Sequence, residues 1–361
     1  MKILHVETGR HLYGGPQQVL YLMAALRDRG HEGTLVCPPA SGIDTAARGL
    51  GLPVRNLFCA GDLDLPFAYR LTQYISQSQP DIVHCHSRRG ADVLGGLAAS
   101  FADVPAVVSR RVDNTEMRVM AALRYRPFKK VIAISNAIAA VLRENGVDED
   151  KIEVIRSAVD ADRFARRPDC TELRREFGIG SDVLVLAAVG QLIARKGHRF
   201  LLEAVARLRD DGVSFHLLVF GEGDLDEALR SQVAASGLDE FVTFAGFRED
   251  LDEFIGCIDL LVHPALAEGL GVATLKAQAA GVAVVGFAAG GLIEAIEHGK
   301  SGLLVAAENV DELYAAIATL AGDDQMRRAM GAAGKERMQK DFGIVTMVDR
   351  HIEVYESVLN G

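Results

Sequence analysis

The chain has 361 residues, 49% hydrophobic and 24% charged, a balance that fits two globular domains and excludes a disordered or fibrous protein. The formal net charge of -10 is uneven, +2 over residues 1–165 and -12 over the remainder, and the acidic total argues against a general nucleic-acid binder. Five widely spaced cysteines form no CxxC pair and no metal-ligand cluster, so they read as small buried thiols of a reduced, cytosolic protein. The apolar run in MKILHVETGR is too brief for the core of a signal peptide. No stretch approaches the roughly 20 consecutive apolar residues of a membrane span, so any membrane contact would be peripheral.

Short Val/Ile/Leu/Ala runs alternate with amphipathic stretches along the chain. Residues 3–6, 33–37, 54–58, 82–85, 106–109, 131–134 and 152–155 read as strands, with helices at 17–29, 65–76, 91–101 and 136–145. A polar stretch at 160–182, containing Arg166-Arg167-Pro168-Asp169, reads as an interdomain connection. The pattern then restarts, with strands at 183–189, 215–220, 242–244, 260–263, 282–286 and 303–305 and helices at 200–210, 225–235, 273–280 and 310–320. Residues 344–359 form a last amphipathic helix, able to dock on either domain. Such alternation means parallel strands with crossover helices, hence two doubly wound α/β sheets in tandem. Ligands of open α/β sheets bind beyond the carboxyl ends of the strands, so loops of both halves are expected to face a shared cleft.

Several strand ends carry residues suited to chemistry. Gly14-Gly15 follows the first strand by a loop and precedes a helix, either as an ordinary turn or as a close backbone approach to phosphate or substrate. His84, His86, Arg88 and Arg89 follow the strand at 82–85, where His86 reads as an acceptor contact or base, or else as a satisfied structural histidine. The segment from Arg110 to Lys130 mixes Arg118, Arg124, Arg126, Lys129 and Lys130 with Met117, Val119, Met120, Leu123 and Tyr125. It reads as a basic amphipathic helix, lying on an anionic membrane or simply on the protein surface.

In the second half, Gly190-Gln191-Leu192-Ile193-Ala194-Arg195-Lys196-Gly197 follows a strand directly. Adjacent cations there suit a departing diphosphate, whose charge grows in the transition state. Gly221-Glu222-Gly223 has the start of a dinucleotide fingerprint but Asp226 where the last glycine belongs, so a nucleotide turn and a plain turn both remain open. Glu268-Gly269-Leu270-Gly271 is the richest loop. Its glycines allow close approach of an anion, the helix opening near Val272 directs free N–H groups at that spot, and Glu268 stands ready for sugar hydroxyls. Gly290-Gly291 and HGKSGLLV at 298–305 add further glycine turns.

Taken in order, these segments resemble the retaining glycosyltransferases of family 4, with the two-domain GT-B fold. The resemblance rests on Gly14-Gly15, DIVHCHS at 81–87, VIAISNAI at 131–138, VIRSAVDADRF at 154–164, GQLIARKG at 190–197, FGEGDLDEAL at 220–229, HPALAEGLGVATLKAQAAGVAVVG at 263–286 and the glycine turns that follow. It implies two Rossmann-like domains, 1–165 for the acceptor and 166–340 for the donor, with residues 341–361 as a helix packing back on the first. It implies transfer from a nucleotide diphosphate sugar with no cofactor and no metal.

By the same resemblance, Arg195 and Lys196 stabilise the leaving diphosphate and Glu268 orients the donor sugar. Gly14, Gly15, Gly190, Gln191, Gly221, Phe247, Arg248, Gly269, Leu270, Gly271, Val272 and Lys276 fall at donor-side positions, and His86, Arg88 and Arg111 at the acceptor side. Lys276 stands where the family usually has a second glutamate that holds the ribose, and Gln191 where it usually has arginine. Arg111 replaces a common histidine. The expected partners are a nucleotide sugar, a saccharide or lipid-linked acceptor such as a lipopolysaccharide core, and an anionic membrane touched through 110–130, with no nucleic acid. The expected location is cytoplasmic or peripheral on the inner face of the cytoplasmic membrane. Alternatives are a GT-B epimerase and a non-catalytic nucleotide-sugar-binding subunit, the latter motivated by Lys276 and Gln191.

Overall fold

The central β-branched and leucine-rich strands are buried along their length, which removes the need for polar alternation there. The computed structural model describes residues 1–88, 90–113, 115–165 and 168–361; Arg89, Arg166 and Arg167, named above, lie outside the described residues. The chain divides into two units, Met1–Ala158 with Ile344–Gly361, and Val159–Gly343.

The first unit runs β1 Lys2–Val6, α1 Gly14–Asp28, β2 Glu32–Cys37, α2 Gly42–Gly49, β3 Val54–Asn56, α3 Leu65–Ser78 and β4 Ile82–Cys85. A π-turn at Ala91–Gly95 leads into α4 Gly96–Phe101, followed by β5 Ala106–Arg110, α5 Arg118–Tyr125, β6 Lys130–Ala133, α6 Asn136–Glu144 and β7 Ile152–Val154. The sheet order is β3-β2-β1-β4-β5-β6-β7, and the pairs are parallel.

The second unit runs α7 Thr171–Glu176, β8 Leu184–Val189, α8 His198–Asp210, β9 Phe215–Phe220, α9 Asp226–Ala235, β10 Val242–Gly246, α10 Leu251–Phe254 and β11 Leu260–His263. It continues with α11 Val272–Ala279, β12 Ala283–Phe287, α12 Leu292–Ala295, β13 Gly302–Val305, α13 Val310–Gly322 and α14 Asp324–Asp341. Its parallel sheet has the order β10-β9-β8-β11-β12-β13.

Both orders reverse direction at one place, between β1 and β4 in the first unit and between β8 and β11 in the second. At such a switch point the two following loops leave in opposite directions and open a crevice beyond the carboxyl ends. The loops after β1, β4, β8 and β11 therefore border these crevices.

The last helix, α15 Ile344–Asn360, returns to the first unit. Its Met347, Val348, Val354 and Tyr355 are buried with Ile3, Leu22, Leu26, Ile82, Val107 and Ile132. Burying each large apolar side chain stabilises by roughly 1.5–3 kcal/mol, which fixes the helix there. Helix starts follow local chemistry: Ser135 Oγ accepts from Ile138 N at α6, and Asp64 caps α3 just ahead of an early proline.

Two expectations are corrected. Cys170 and Cys257 form a disulfide, while Cys37, Cys59 and Cys85 are buried and stand outside it. The partners stand 87 residues apart, so spacing could not reveal them. The basic segment is also not one helix from 110 to 130. Arg110 ends β5 and Lys130 begins β6, which leaves only Arg118–Tyr125 helical. Among the described residues no helix is long and apolar enough to cross a membrane.

Candidate active site

In the second unit the loops after β8 and β11 are bonded to each other. Leu266 N donates to Arg195 O at 2.8 Å, and Arg195 Nη1 donates to Ala267 O at 3.3 Å. Lys196 Nζ donates to the Glu268 carboxylate, and His263 Nε2 donates to Glu268 Oε2 at 2.9 Å. Gly269 N supplies a further bond to Glu268 Oε1 at 3.2 Å. Burial by itself raises the Glu268 carboxyl, but His263 and Lys196 outweigh it and hold the group well below the usual carboxylate range. Burial depresses His263, so its ring is neutral at pH 7 and donates its Nε2 proton. Lys196 and Glu268 form a largely enclosed pair, with side chains 12% and 13% exposed.

The glycines of this edge have steric reasons. Gly271 sits at φ +84° as the N-cap of α11, where a Cβ would press on Leu292. At Gly291 a Cβ would fall 2.1 Å from Gly269 O, because the turn after β12 lies directly on the Glu268 loop. Val272 opens α11, so the unsatisfied N–H groups of that helix begin at the loop carrying Glu268. The arrangement offers two cations, a fixed carboxylate and a helix start: a site for an anion joined to a hydroxyl-rich group.

The other donor-side residues are placed as follows. Gly190 and Gln191 begin the loop after β8, with Gln191 exposed, and Gly221 begins the loop after β9. Phe247 follows β10 and is half-exposed. Arg248 is occupied by acids: it grips Asp250 in two bonds of 2.7 Å and reaches Glu176 at 2.5 Å. Lys276, on α11, donates to both carboxylate oxygens of Asp252 at 2.7 and 2.9 Å, and Arg163 contacts the same carboxylate at 3.1 Å. Leu270 is buried. Gly14 and Gly15 open α1 in the first unit, where a Cβ on Gly15 would stand 3.3 Å from Arg111 Cδ.

In the first unit the loops after β1 and β4 are joined by Thr8, whose N and Oγ1 both meet Ser87 Oγ at 2.9 Å. His86 is not on an open surface. It is 2% exposed, and its Nε2 pairs with His5 Nδ1 at 3.0 Å. His84 is bonded on both sides, Nδ1 to Tyr355 OH at 2.6 Å and Nε2 to Ser109 Oγ at 2.8 Å. Burial pushes His84 and His86 well below the ordinary histidine value, His5 down to about 3 and His351 down to about 4. Arg111 is lowered by burial to about 10 against the pull of Glu7, and it stays charged at pH 7. Its Nε has no hydrogen-bond partner among the described residues.

His5, His84 and His86 converge closely enough to raise a metal site, a grouping the sequence reading missed. The residues do not fit one. His5 Nδ1 and His86 Nε2 bond each other and both nitrogens of His84 are taken by Ser109 and Tyr355, while among the described residues His5 Nε2 and His86 Nδ1 have no hydrogen-bond partner. The Arg111 charge also bears on His84 and His86, and it would oppose a divalent cation. The group is a polar seam beneath α15.

Arg88 belongs to a second cluster. It meets Glu116 at 3.2 Å; Arg110 meets Glu116 at 3.2 Å; Arg124 meets Asp92 at 2.7 Å and Glu116 at 3.0 Å. Three guanidinium groups face two carboxylates, and burial raises Asp92 to about 6 despite Arg124 and Arg88. Arg88, 30% exposed, is the open edge of this cationic cluster. Sequence reasoning named neither Asp92, Glu116, Asp252 nor the role of His263. Only His263 left a trace, a histidine ending an otherwise apolar strand five residues before Glu268.

A family model described as Glycosyl transferases group 1 matches residues 169–337, and one described as Glycosyltransferase Family 4 matches residues 13–163. With two Rossmann-like parallel sheets, these matches define a GT-B glycosyltransferase. The chain belongs to glycosyltransferase family 4. The 2-deoxystreptamine glucosyltransferase of Streptomyces kanamyceticus is 28% identical over 297 residues, 77% of each chain. The lipopolysaccharide core biosynthesis glycosyltransferase LpsE of Rhizobium meliloti is 25% identical over 362 residues, 99% of each chain. The crystal structure of Anabaena Alr3699/HepE in complex with UDP-glucose shares the fold, with a TM-score of 0.88 at 22% identity over 99% of this chain and 100% of that one.

Proposed function

We propose that this glycosyltransferase moves a sugar from a nucleotide diphosphate sugar to a cell-surface glycan or lipid-linked acceptor, with retained anomeric configuration and no metal. One observation carries the reading: the Arg195-Lys196 loop and the Glu268 loop meet at the switch point of the second unit. Cleavage of the sugar–phosphate bond leaves charge on the diphosphate. Arg195 and Lys196 stabilise that charge, the role a metal would otherwise fill. A diphosphate arriving at Lys196 displaces Glu268, which stays held by His263 and turns to the sugar hydroxyls. Gly269, Gly271 and Val272 line the approach with backbone.

In the first unit Gly14 and Gly15 open α1 beside Arg111 and let substrate approach the backbone, and Arg88 and Arg111 serve the acceptor. His86 supports that side from beneath, since it is buried. The relative acting in lipopolysaccharide core biosynthesis and the fold shared with a UDP-glucose-bound protein support both halves of the proposal. The protein works in the cytoplasm, in peripheral contact with an anionic membrane through the segment around α5.

A thermal-shift screen of UDP-, GDP-, ADP- and CMP-sugars tests the donor half, with one class expected to raise the melting temperature. No stabilisation by any of them would remove the nucleotide-sugar reading. A second reading, a binding subunit without catalysis, draws on Lys276, whose ammonium is bound to Asp252. Donor binding with neither transfer nor hydrolysis would select it.

A further inference from the structure

We propose that Cys170 and Cys257 are a reversible thiol–disulfide site, through which the redox state of the surroundings sets how firmly the second unit holds its nucleotide sugar. The proposal rests on the cytoplasmic and donor readings above and adds a modification site to them. Disulfides in the cytosol are rare and mostly transient, serving catalysis or redox sensing. A cross-link in a chain that works there is a switch before it is a staple. The other cysteines do not compete for the chemistry. Cys37, Cys59 and Cys85 are buried, and burial pushes Cys37 up to about 12, Cys85 well above the ordinary thiol value and Cys59 upward. A thiol kept protonated by burial is a poor nucleophile. Of the bonded pair, Cys257 is 3% exposed and Cys170 is half-buried, so Cys170 Sγ is the sulfur that a reductant reaches.

The link lies where it acts on the donor helix. Cys257 ends a single helical turn, Ile255–Cys257, that follows α10 directly and packs on α11. Two residues before Cys170, Pro168 lies against that turn, and a Cβ on Gly256 would fall 2.9 Å from Pro168 Cδ. Arg163 meets Asp252 of α10 at 3.1 Å, and Asp252 in turn holds Lys276 of α11. The contact is hollow: Arg163, Pro168, Glu253, Gly256 and Ala280 line part of a cavity of about 320 Å³. The covalent bond supplies what close packing does not. It pins α10 and, through Asp252, the middle of the helix whose start at Val272 meets the Glu268 loop. In reduction, a reductant thiolate attacks Cys170 Sγ, the bond to Cys257 breaks, and Cys257 leaves as the thiolate. A second reductant thiol releases Cys170 from the mixed disulfide. One S–S bond is lost here and one is gained by the reductant, whose two electrons and two protons end on the two cysteines. Asp252 and Lys276 are then free to move, and a less pre-organised α11 binds donor more weakly.

The test equilibrates full-length protein in glutathione buffers from oxidising to reducing. Thiols are mapped by alkylation and mass spectrometry, and hydrogen exchange, melting and nucleotide-sugar binding are measured at both ends. Cys170 and Cys257 are expected to titrate together while Cys37, Cys59 and Cys85 stay thiols throughout. Reduction should speed exchange at residues 250–257 and 272–280 and lower the melting temperature by roughly 5–15 °C. It should weaken the nucleotide sugar selected from the UDP, GDP, ADP and CMP classes by roughly fivefold or more, and by linkage that ligand should make the pair harder to reduce by the same factor. Cys170→Ser/Cys257→Ser should match reduced wild type in both buffers. A pair that stays bonded at the reducing end, or open at the oxidising end, overturns the proposal. So does equal donor affinity of oxidised and reduced wild type, which leaves a structural cross-link. If no nucleotide sugar binds in either state while exchange at 272–280 follows the redox state, the donor reading falls and the redox link to α11 stands.

Discussion

The two units share one topology and fill its switch point differently. In the second, the loops after β8 and β11 bring opposite charges into contact, Lys196 on Glu268, with His263 behind. In the first, the carboxyl ends of β1 and β4 bring together the neutral rings of His5, His84 and His86, near a guanidinium from the loop after β5 that lacks a partner at Nε among the described residues. The sheet order says where a ligand binds; the loop chemistry says which part of the reaction it serves. A pre-formed arrangement of cations and carboxylate suits bond cleavage, and a neutral seam beneath Arg111 suits holding a second substrate.

The comparison is most exposed at Lys196. Replacing it with Ala should lower kcat by about 10²–10³-fold. Arg111→Ala should mainly raise the KM for the acceptor. Equal effects of the two on kcat would erase the assigned division of labour.

The acid limb of the stability profile separates the units next. Buried neutral histidines have folded pKa values below their unfolded value of about 6.5, so the unfolded chain binds more protons below that pH. Stability is therefore full above about 6.5 and falls as pH drops toward the folded values of about 3 for His5 and about 4 for His351. Each ring costs roughly 2 kcal/mol at pH 5. The buried rings described number four in the first unit (His5, His84, His86, His351) and two in the second (His198, His263). Glu268 works in a lower window, since its depressed pKa keeps its contribution until the pH falls below about 4.3. Melting followed by hydrogen exchange at pH 7.5 and 5 should show the first unit losing protection sooner. Earlier loss in the second would contradict the neutral-seam description.

The smaller effect concerns His263. His263→Phe removes a hydrogen bond to a charged group and should lower kcat about tenfold. His263→Asn keeps a donor and should recover most of it, with donor KM nearly constant. A general packing defect would instead lower the melting temperature of both and show no recovery.

Much of the fold was legible because apolar runs and amphipathic helices alternate strictly, and glycines mark the strand ends. Arg195, Lys196 and Glu268 were legible because strand, glycine and charge occur together in sequence. His5, His84 and His86 were obscured because each sits in or beside an apolar strand. Their period-two spacing and the register pairing of His5 with His84 put them on one face only once the strands pair. The hold of Asp252 on Lys276 and the Cys170–Cys257 link arise from distant segments that local pattern does not connect.

Hydrogen–deuterium exchange of the full-length protein, with and without the nucleotide sugar that stabilises it, tests the central claim most directly. The account predicts that donor slows exchange at residues 190–198 and 264–274, the two loops joined by Lys196 and Glu268. Slowing that spares both loops, or is confined to the first unit, would contradict it.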